Sequence, residues 1–214
     1  MGSKERRERE KESLRQEIRD AARDLFAEQG YESVSMRKIA ERIEYSPTTI
    51  YLYFNDKDEL LFSLCEETFS KLVSYFDVIA DAQSDPLEKL KMGLRGYVDF
   101  GLKYPNHYKV TFMQSLRPNP ALQAQMERSM GHRAFEGLCD LVQTCVQRGL
   151  FVEHDARLIS HALWACAHGV TSLLISKPGH LWPDKDRLID ATIEAAVNGF
   201  RSSFVAASTP DFVA

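Results

Sequence analysis

Apolar residues in this chain recur almost everywhere at steps of three and four, and no stretch sustains the two-residue alternation of a strand. That period supplies helices to pack on helices and nothing for a sheet, so the expected fold is all-α with about nine helices. Leu14, Ile18, Ala21, Ala22, Leu25 and Phe26 mark one face of a first helix, and Gly30 stands where a left-handed residue ends it. Ser35 offers an N-cap to a short second helix whose Met36, Ile39, Ala40 and Ile43 turn inward. Ser46-Pro47, a capping residue ahead of a proline at the first helical position, starts a third helix that ends near Phe54. Asn55 is expected to cap a long fourth helix reaching about Ala82, with Asp56, Asp58 and Glu59 at its positive end.

Proline and glycine punctuate the remainder. Ser84-Asp85-Pro86 opens a fifth helix to Leu102, and Tyr104-Pro105 ends it ahead of a short helix over Tyr108 to Ser115. Pro118-Asn119-Pro120 is expected to open a long helix to Arg148, closed by Gly149. His154-Asp155 starts another through Trp164 to Ser176, and the last spans about Asp184 to Val205.

The bulk numbers exclude more than they select. An apolar share of 44% and a charged share of 27% are ordinary for a soluble globular chain of 214 residues, long enough to bury a core. No apolar run approaches the ~18 residues of a membrane span. The first residues lack the apolar stretch of a signal peptide, so the expected location is cytoplasmic with no membrane partner. Cys65, Cys139, Cys145 and Cys166 fall on apolar helix faces and form no CxxC pair, which reads as reduced core residues. The net charge of −4 argues mildly against nucleic acid, so a case for DNA rests on local geometry.

That geometry lies in the first sixty residues. Three short helices within about forty-five residues, the second and third joined by a tight turn, have the dimensions of a helix-turn-helix. Ile50 and Phe54, four apart, anchor the third helix and turn Pro47, Thr48, Thr49, Tyr51 and Tyr53 outward. The plain alternative is that Tyr51 and Tyr53 are half-buried aromatics of a helical bundle.

The stretch from Ile18 to Leu61 resembles the DNA-binding domain of TetR-family transcriptional regulators. The resemblance is carried by the Ala22-to-Phe26 pattern, Gly30-Tyr31, Ser35 to Ala40, Ser46-Pro47 through Tyr51, Tyr53 and Phe54, and by Lys57, Leu60 and Leu61. It implies that Ser35 and Arg37 meet the DNA backbone or a base edge, and that Pro47, Thr48 and Thr49 face bases. It further implies that Tyr51 and Tyr53 touch phosphates and sugars, and that Lys57 pairs with a phosphate. One departure is Glu44, where the family often has glycine in the turn. The free N–H groups around Lys57 in the first turn of the fourth helix also favour a phosphate. The third helix carries no charge of its own, so base readout would depend on hydroxyls, apolar contacts and Arg37.

The expected organisation is a charged extension over residues 1–11, the helix-turn-helix domain over 12–72, a helical regulatory and dimerisation domain over 73–207, and a tail over 208–214. The extension reads either as an arm reaching the minor groove or as a solvated continuation of the first helix; its interleaved Glu and Lys/Arg favour the second. Small residues on the last two helices (Ala162, Ala165, Ala167, Gly169; Ala191, Ala195, Ala196, Gly199) suit a homodimer interface or plain core packing. Dimerisation is favoured because one helix-turn-helix reads too few base pairs. Trp164 to Gly169 also resembles the Trp…His-Gly signature of one class of TetR-family C-terminal domains.

Tyr97, His107, Phe112, Met113, Trp164 and His168 are candidates to line an effector pocket, with plain core as the alternative. His161 and His168 share a helix face without the convergent ligands a metal needs, so neither a metal nor a cofactor is expected. No nucleophile–base pair, phosphate-cradling loop or paired carboxylates appear at a recognisable spacing, which argues against an enzyme. The expected function is that of a ligand-responsive repressor that binds a palindromic operator on double-stranded DNA as a homodimer. A helical protein-binding adaptor, or an activator of the same fold, is the alternative.

Overall fold

The computed structural model describes residues 2–81, 83–113 and 125–201. Among them run nine α-helices: α1 Ser3–Gln29, α2 Met36–Arg42, α3 Pro47–Tyr51, α4 Lys57–Ala80, α5 Pro86–Lys103, α6 Pro105–Phe112, α7 Met130–Gln147, α8 Ala156–Ser176 and α9 Lys185–Asn198. The one extended pairing among these residues is an isolated bridge between Phe151 and Arg201. The all-α architecture is as the periodicity predicts.

The helices divide into two compact units, Met1–Lys71 with Tyr104–Gly131, and Leu72–Lys103 with His132–Ala214. In the first, Ile18, Ala22, Leu25 and Phe26 of α1 close on Ile39 and Ala40 of α2, Ile50 and Phe54 around α3, and Leu60, Leu61 and Leu64 of α4. This apolar cluster is what holds so short a helix as α3 in place, since five residues are far below the length at which a helix persists alone. Arg23 of α1, only 8% exposed, crosses to Glu67 of α4 at 3.1 Å and bonds Asp20 at 2.7 Å. Helix α6 belongs to this unit through Asn106, which donates to Asp24 at 3.2 Å, and through Phe112 edge-on to Phe69.

In the second unit α8 lies against α5 and α9. Leu90, Leu94, Tyr97 and Val98 of α5, Ile159, Leu163, Ala167 and Val170 of α8, and Ile189, Ile193 and Val197 of α9 are buried there. Arg95 of α5 ties down α9 through Asp190 at 2.7 Å, and Lys91 does so through Glu194 at 2.7 Å.

Several local expectations are corrected. Asp56, not Asn55, caps α4: its carboxylate accepts from Glu59 N–H at 2.7 Å, while the Glu59 carboxylate accepts from Asn55 N–H, one residue ahead of the cap, at 2.8 Å. The long helix expected from Pro118 to Arg148 is not continuous. Residues 127–129 form a turn, and Glu66 of α4 accepts from the Met130 N–H at 2.9 Å where α7 starts; Pro118, Asn119 and Pro120 lie outside the described residues. The last helix stops at Asn198 rather than Val205, because Gly199 and Phe200 turn the chain so that Phe200 C=O accepts from Val152 N–H; residues 202–205 also lie outside the described set. Cys166 is exposed, not core, whereas burial pushes the Cys65 thiol up to about 12 and the Cys145 thiol up to about 11. Helix α8 is long and apolar enough, by length and composition, to cross a membrane.

Candidate nucleic-acid interface

Local sequence explains how α3 comes to present its outer face. Ser46 Oγ accepts from Thr49 N–H at 3.1 Å, Pro47 fills the first helical position, and Ile50 is fully buried. The last helical bond reaches Phe54, whose N–H donates to Ile50 C=O at 3.1 Å. The turn before it is closed by Tyr45 N–H donating to Ala40 C=O at 3.0 Å, with Glu44 at φ 60°. A Schellman-type ending of α2 therefore forms without the glycine that its left-handed residue favours.

Pro47, Thr48 and Tyr51 stand exposed on α3, Tyr51 at 53%. Thr49 is half-buried, its hydroxyl 2.8 Å from Ser46 Oγ. Tyr53 is half-buried and packs on the unit's core, so it turns outward less than Tyr51 does. Ser35 caps α2, accepting from Lys38 N–H at 3.2 Å. Arg37 is exposed and paired with Glu41 at 2.9 Å, so contact with DNA requires that pair to open or to share its donors. Leu52, at 75% exposure, was missed by sequence reasoning. A helical wheel would have found it, since two residues from Ile50 is the face opposite the anchors.

Lys57 is more occupied than its place at the start of α4 suggests. Its ammonium donates to Tyr31 C=O at 2.8 Å and Val34 C=O at 2.9 Å, and lies 4.0 Å from the Tyr31 ring centroid. Tyr31 in turn donates its hydroxyl to Asp58; burial and that carboxylate hold its pKa above the usual tyrosine range. Lys57 thus clamps the α1–α2 loop to α4 with two of its three N–H donors.

The expected effector residues fall in two groups. In the first unit His107 Nδ1 lies 3.1 Å from Thr68 Oγ1, whose hydroxyl donates to Leu64 C=O, and burial, with Arg23 and Lys71 nearby, lowers His107 to about 4. Phe112 is in the same unit, and Met113, which ends α6, is exposed. In the second unit Trp164 Nε1–H donates to Tyr97 Oη at 3.2 Å, and that oxygen lies 3.3 Å from His168 Nδ1. Burial lowers the His168 pKa, which favours the neutral ring in this polar trio. Among the described residues no cluster of His, Cys, Asp or Glu suits a metal.

Helix α8 also shows an apolar face outward. Leu158, Ala162, Ala165, Gly169 and Leu173 recur at helical spacing; Leu158 is 52% exposed and Leu173 49%. On α9, Ala191 and Ala195 are exposed too.

Residues 18–64 match the tetR family of bacterial regulatory proteins, and residues 90–196 match the tetracyclin repressor-like C-terminal domain. The transcriptional activator FasR of Mycolicibacterium smegmatis is 25% identical over 180 residues, spanning 84% of this chain and 79% of that protein. The transcriptional repressor KstR of Mycobacterium tuberculosis is 36% identical over 90 residues, 42% of this chain and 39% of its own length. Among solved structures, Bacillus subtilis FadR, described in complex with stearoyl-CoA, superposes with a TM-score of 0.73 at 23% identity, covering 87% of this chain and 99% of that one. The fatty acid degradation regulator FadR from Bacillus halodurans gives 0.72 at 24% identity over 86% and 95%. These relatives are transcriptional regulators, a non-enzymatic class. An exposed, capped third helix on a helical core, with both family matches on one chain, places it: the chain belongs to the tetR family of bacterial regulatory proteins and is a DNA-binding transcriptional regulator.

Proposed function

We propose that this regulator acts in the cytoplasm as a homodimer on a palindromic operator and represses transcription until a small-molecule effector releases it. The observation that carries the reading is the outer face of α3, where Pro47, Thr48, Tyr51 and Leu52 are exposed on a helix anchored from beneath by Ile50 and Phe54. Pro47, Thr48 and Thr49 meet base edges and thymine methyls; Tyr51 and Tyr53 meet sugars and phosphates; Ser35 and Arg37 approach from α2; Lys57 gives its remaining N–H to a phosphate. The apolar stripe of α8, with Ala191 and Ala195 of α9, supports a two-fold interface, and two copies of α3 about 34 Å apart then read an inverted repeat.

The trio Tyr97, Trp164 and His168 supports an effector site in the second unit. Solved neighbours named for fatty acid regulation, one with stearoyl-CoA, make long-chain acyl-CoA the first effector class to test. Because α4 contributes residues to both units, an effector that prefers one conformation acts on the operator through that helix, by the difference of its two affinities. Activation is a second reading, favoured by the FasR match, and a promoter fusion with the operator moved upstream of the start site separates the two.

Selection of bound duplexes from a random pool tests the DNA reading, with an inverted repeat expected. Titrating stearoyl-CoA into the complex then tests the effector. Release of the recovered duplex is expected, and an operator affinity untouched at saturation rejects that effector class.

A further inference from the structure

Helix α1 begins well before the core it serves. Its residues from Lys4 to Ser13 are exposed, and Leu14 is the first to pack on the unit's core. At 100° per residue, Lys4, Arg7, Lys11 and Arg15 fall on one face, in line with the inward-facing Ile18 and Ala22, with Glu8 at its border. Charge pairing divides by face. Arg6 pairs with Glu10 at 3.1 Å, Arg9 Nε donates to Glu5 C=O at 3.3 Å, and Glu12 pairs with Arg19 at 3.6 Å. Among the described residues, no carboxylate stands within ion-pair distance of Lys4, Arg7 or Lys11.

The position of this stripe matters. Arg15, at its inner end, lies 4.7 Å over the ring of Phe54, the residue that takes the last helical bond of α3. The stripe therefore starts beside the end of the recognition helix and runs outward from it, about 16 Å from Arg15 to Lys4 at 1.5 Å per residue. One strand of B-DNA offers a charge every ~3.4 Å along its axis, so a helix of that length passes several phosphates. Arg15 also lines a groove of about 1060 Å³ with Asp56, Glu59 and Glu66, carboxylates that repel phosphate, and so is not counted in the contact.

Resting on the DNA-binding reading above, we propose that Lys4, Arg7 and Lys11 form a second DNA contact, in which the N-terminal turns of α1 lie along phosphates flanking the half-site read by α3. The contact adds affinity and salt dependence without reading bases.

The test uses the full chain and two labelled duplexes, the inverted repeat recovered by selection and the same repeat with about ten base pairs added at each end. Binding is measured by anisotropy from about 50 to 200 mM NaCl. The combined Lys4→Gln, Arg7→Gln and Lys11→Gln variant is expected to bind the extended duplex at least about ten-fold more weakly at low salt. The slope of log K against log[NaCl] flattens by about 0.9 for each phosphate no longer neutralised. The short duplex changes little, and base preference stays as in the wild type. The Arg6→Gln, Arg9→Gln control, which removes two hydrogen-bonded cations from other faces, is expected to keep the wild-type slope. Circular dichroism checks helicity, and Lys4→Arg with Lys11→Arg, which keeps the charge, is expected to behave as wild type. An unchanged slope for the triple variant on the extended duplex overturns the proposal, as does equal flattening by the control or an equal loss on both duplexes. A wild-type chain that binds neither duplex defeats the DNA reading itself, a distinct result.

Discussion

Glu44 holds a left-handed backbone that most side chains avoid, at a cost of about 1 kcal/mol relative to glycine. Exchange for glycine keeps the hydrogen bonds that close the turn and removes a carboxylate next to the proposed DNA-facing helix. Glu44→Gly is expected to raise the melting temperature by about 2–4 °C, with operator affinity unchanged or higher; a lower Tm contradicts the turn assignment. His107 gives a pH signature. Its folded pKa of about 4 lies below the ordinary 6.5, so between those values the unfolded chain binds more protons. The stability it contributes is fully present above about pH 6.5 and is lost as pH falls toward 4. His107→Gln is expected to remove that part of the pH slope, read as the difference from wild type in denaturant titrations at pH 7 and pH 4.5. At Lys57 the observed clamp and the proposed phosphate contact would fall on one ammonium. Lys57→Ala is expected to flatten the salt slope by about one unit and also to lower the Tm, because Tyr31 and Val34 carbonyls lose a donor. An unchanged Tm would mean that the clamp contributes nothing.

Among the elements, α8 makes the sharpest forecast. A stripe with Leu158 and Leu173 half exposed is a face that a second copy would cover. Leu158→Asp or Leu173→Glu is expected to shift the protein to monomer in sedimentation and to weaken operator binding, with helicity retained; a dimer that persists in both variants removes α8 from the interface. Helices α2 and α3 were legible because each has its own signals: Ser35 and Ser46 as caps, Pro47 at the first position, and anchors four apart. What was not legible came from partners distant in sequence. The turn ahead of α7 is met by Glu66, 64 residues away, and α9 ends where Val152 bonds Phe200. Tyr53 followed the core rather than a simple outward face, and Leu52 was passed over although spacing alone marked it. The occupied state of Lys57 depends on loop carbonyls that no helical pattern encodes.

For the whole molecule, the all-helical architecture followed from periodicity, because nothing in the chain alternates. The grouping of α6 with α1 and α4 did not, since it depends on residues far apart in sequence: Val110 in the buried cluster with residues of α1 and α4, Asn106 with Asp24, and Phe112 with Phe69. The expected effector residues likewise divide between two units, and only Tyr97, Trp164 and His168 come together as a hydrogen-bonded set. All of the functional reading depends on α3 meeting bases with its threonines. The most direct measurement repeats the random-pool selection with the wild type and with Thr48→Ala and Thr49→Ala. The wild type is expected to return an inverted repeat with half-site centres about one helical turn or a multiple of it apart, and each variant to lose preference at particular positions while keeping the rest. A wild type that enriches no motif, or variants whose motifs match it at every position, would contradict the assignment of α3 as the reading helix.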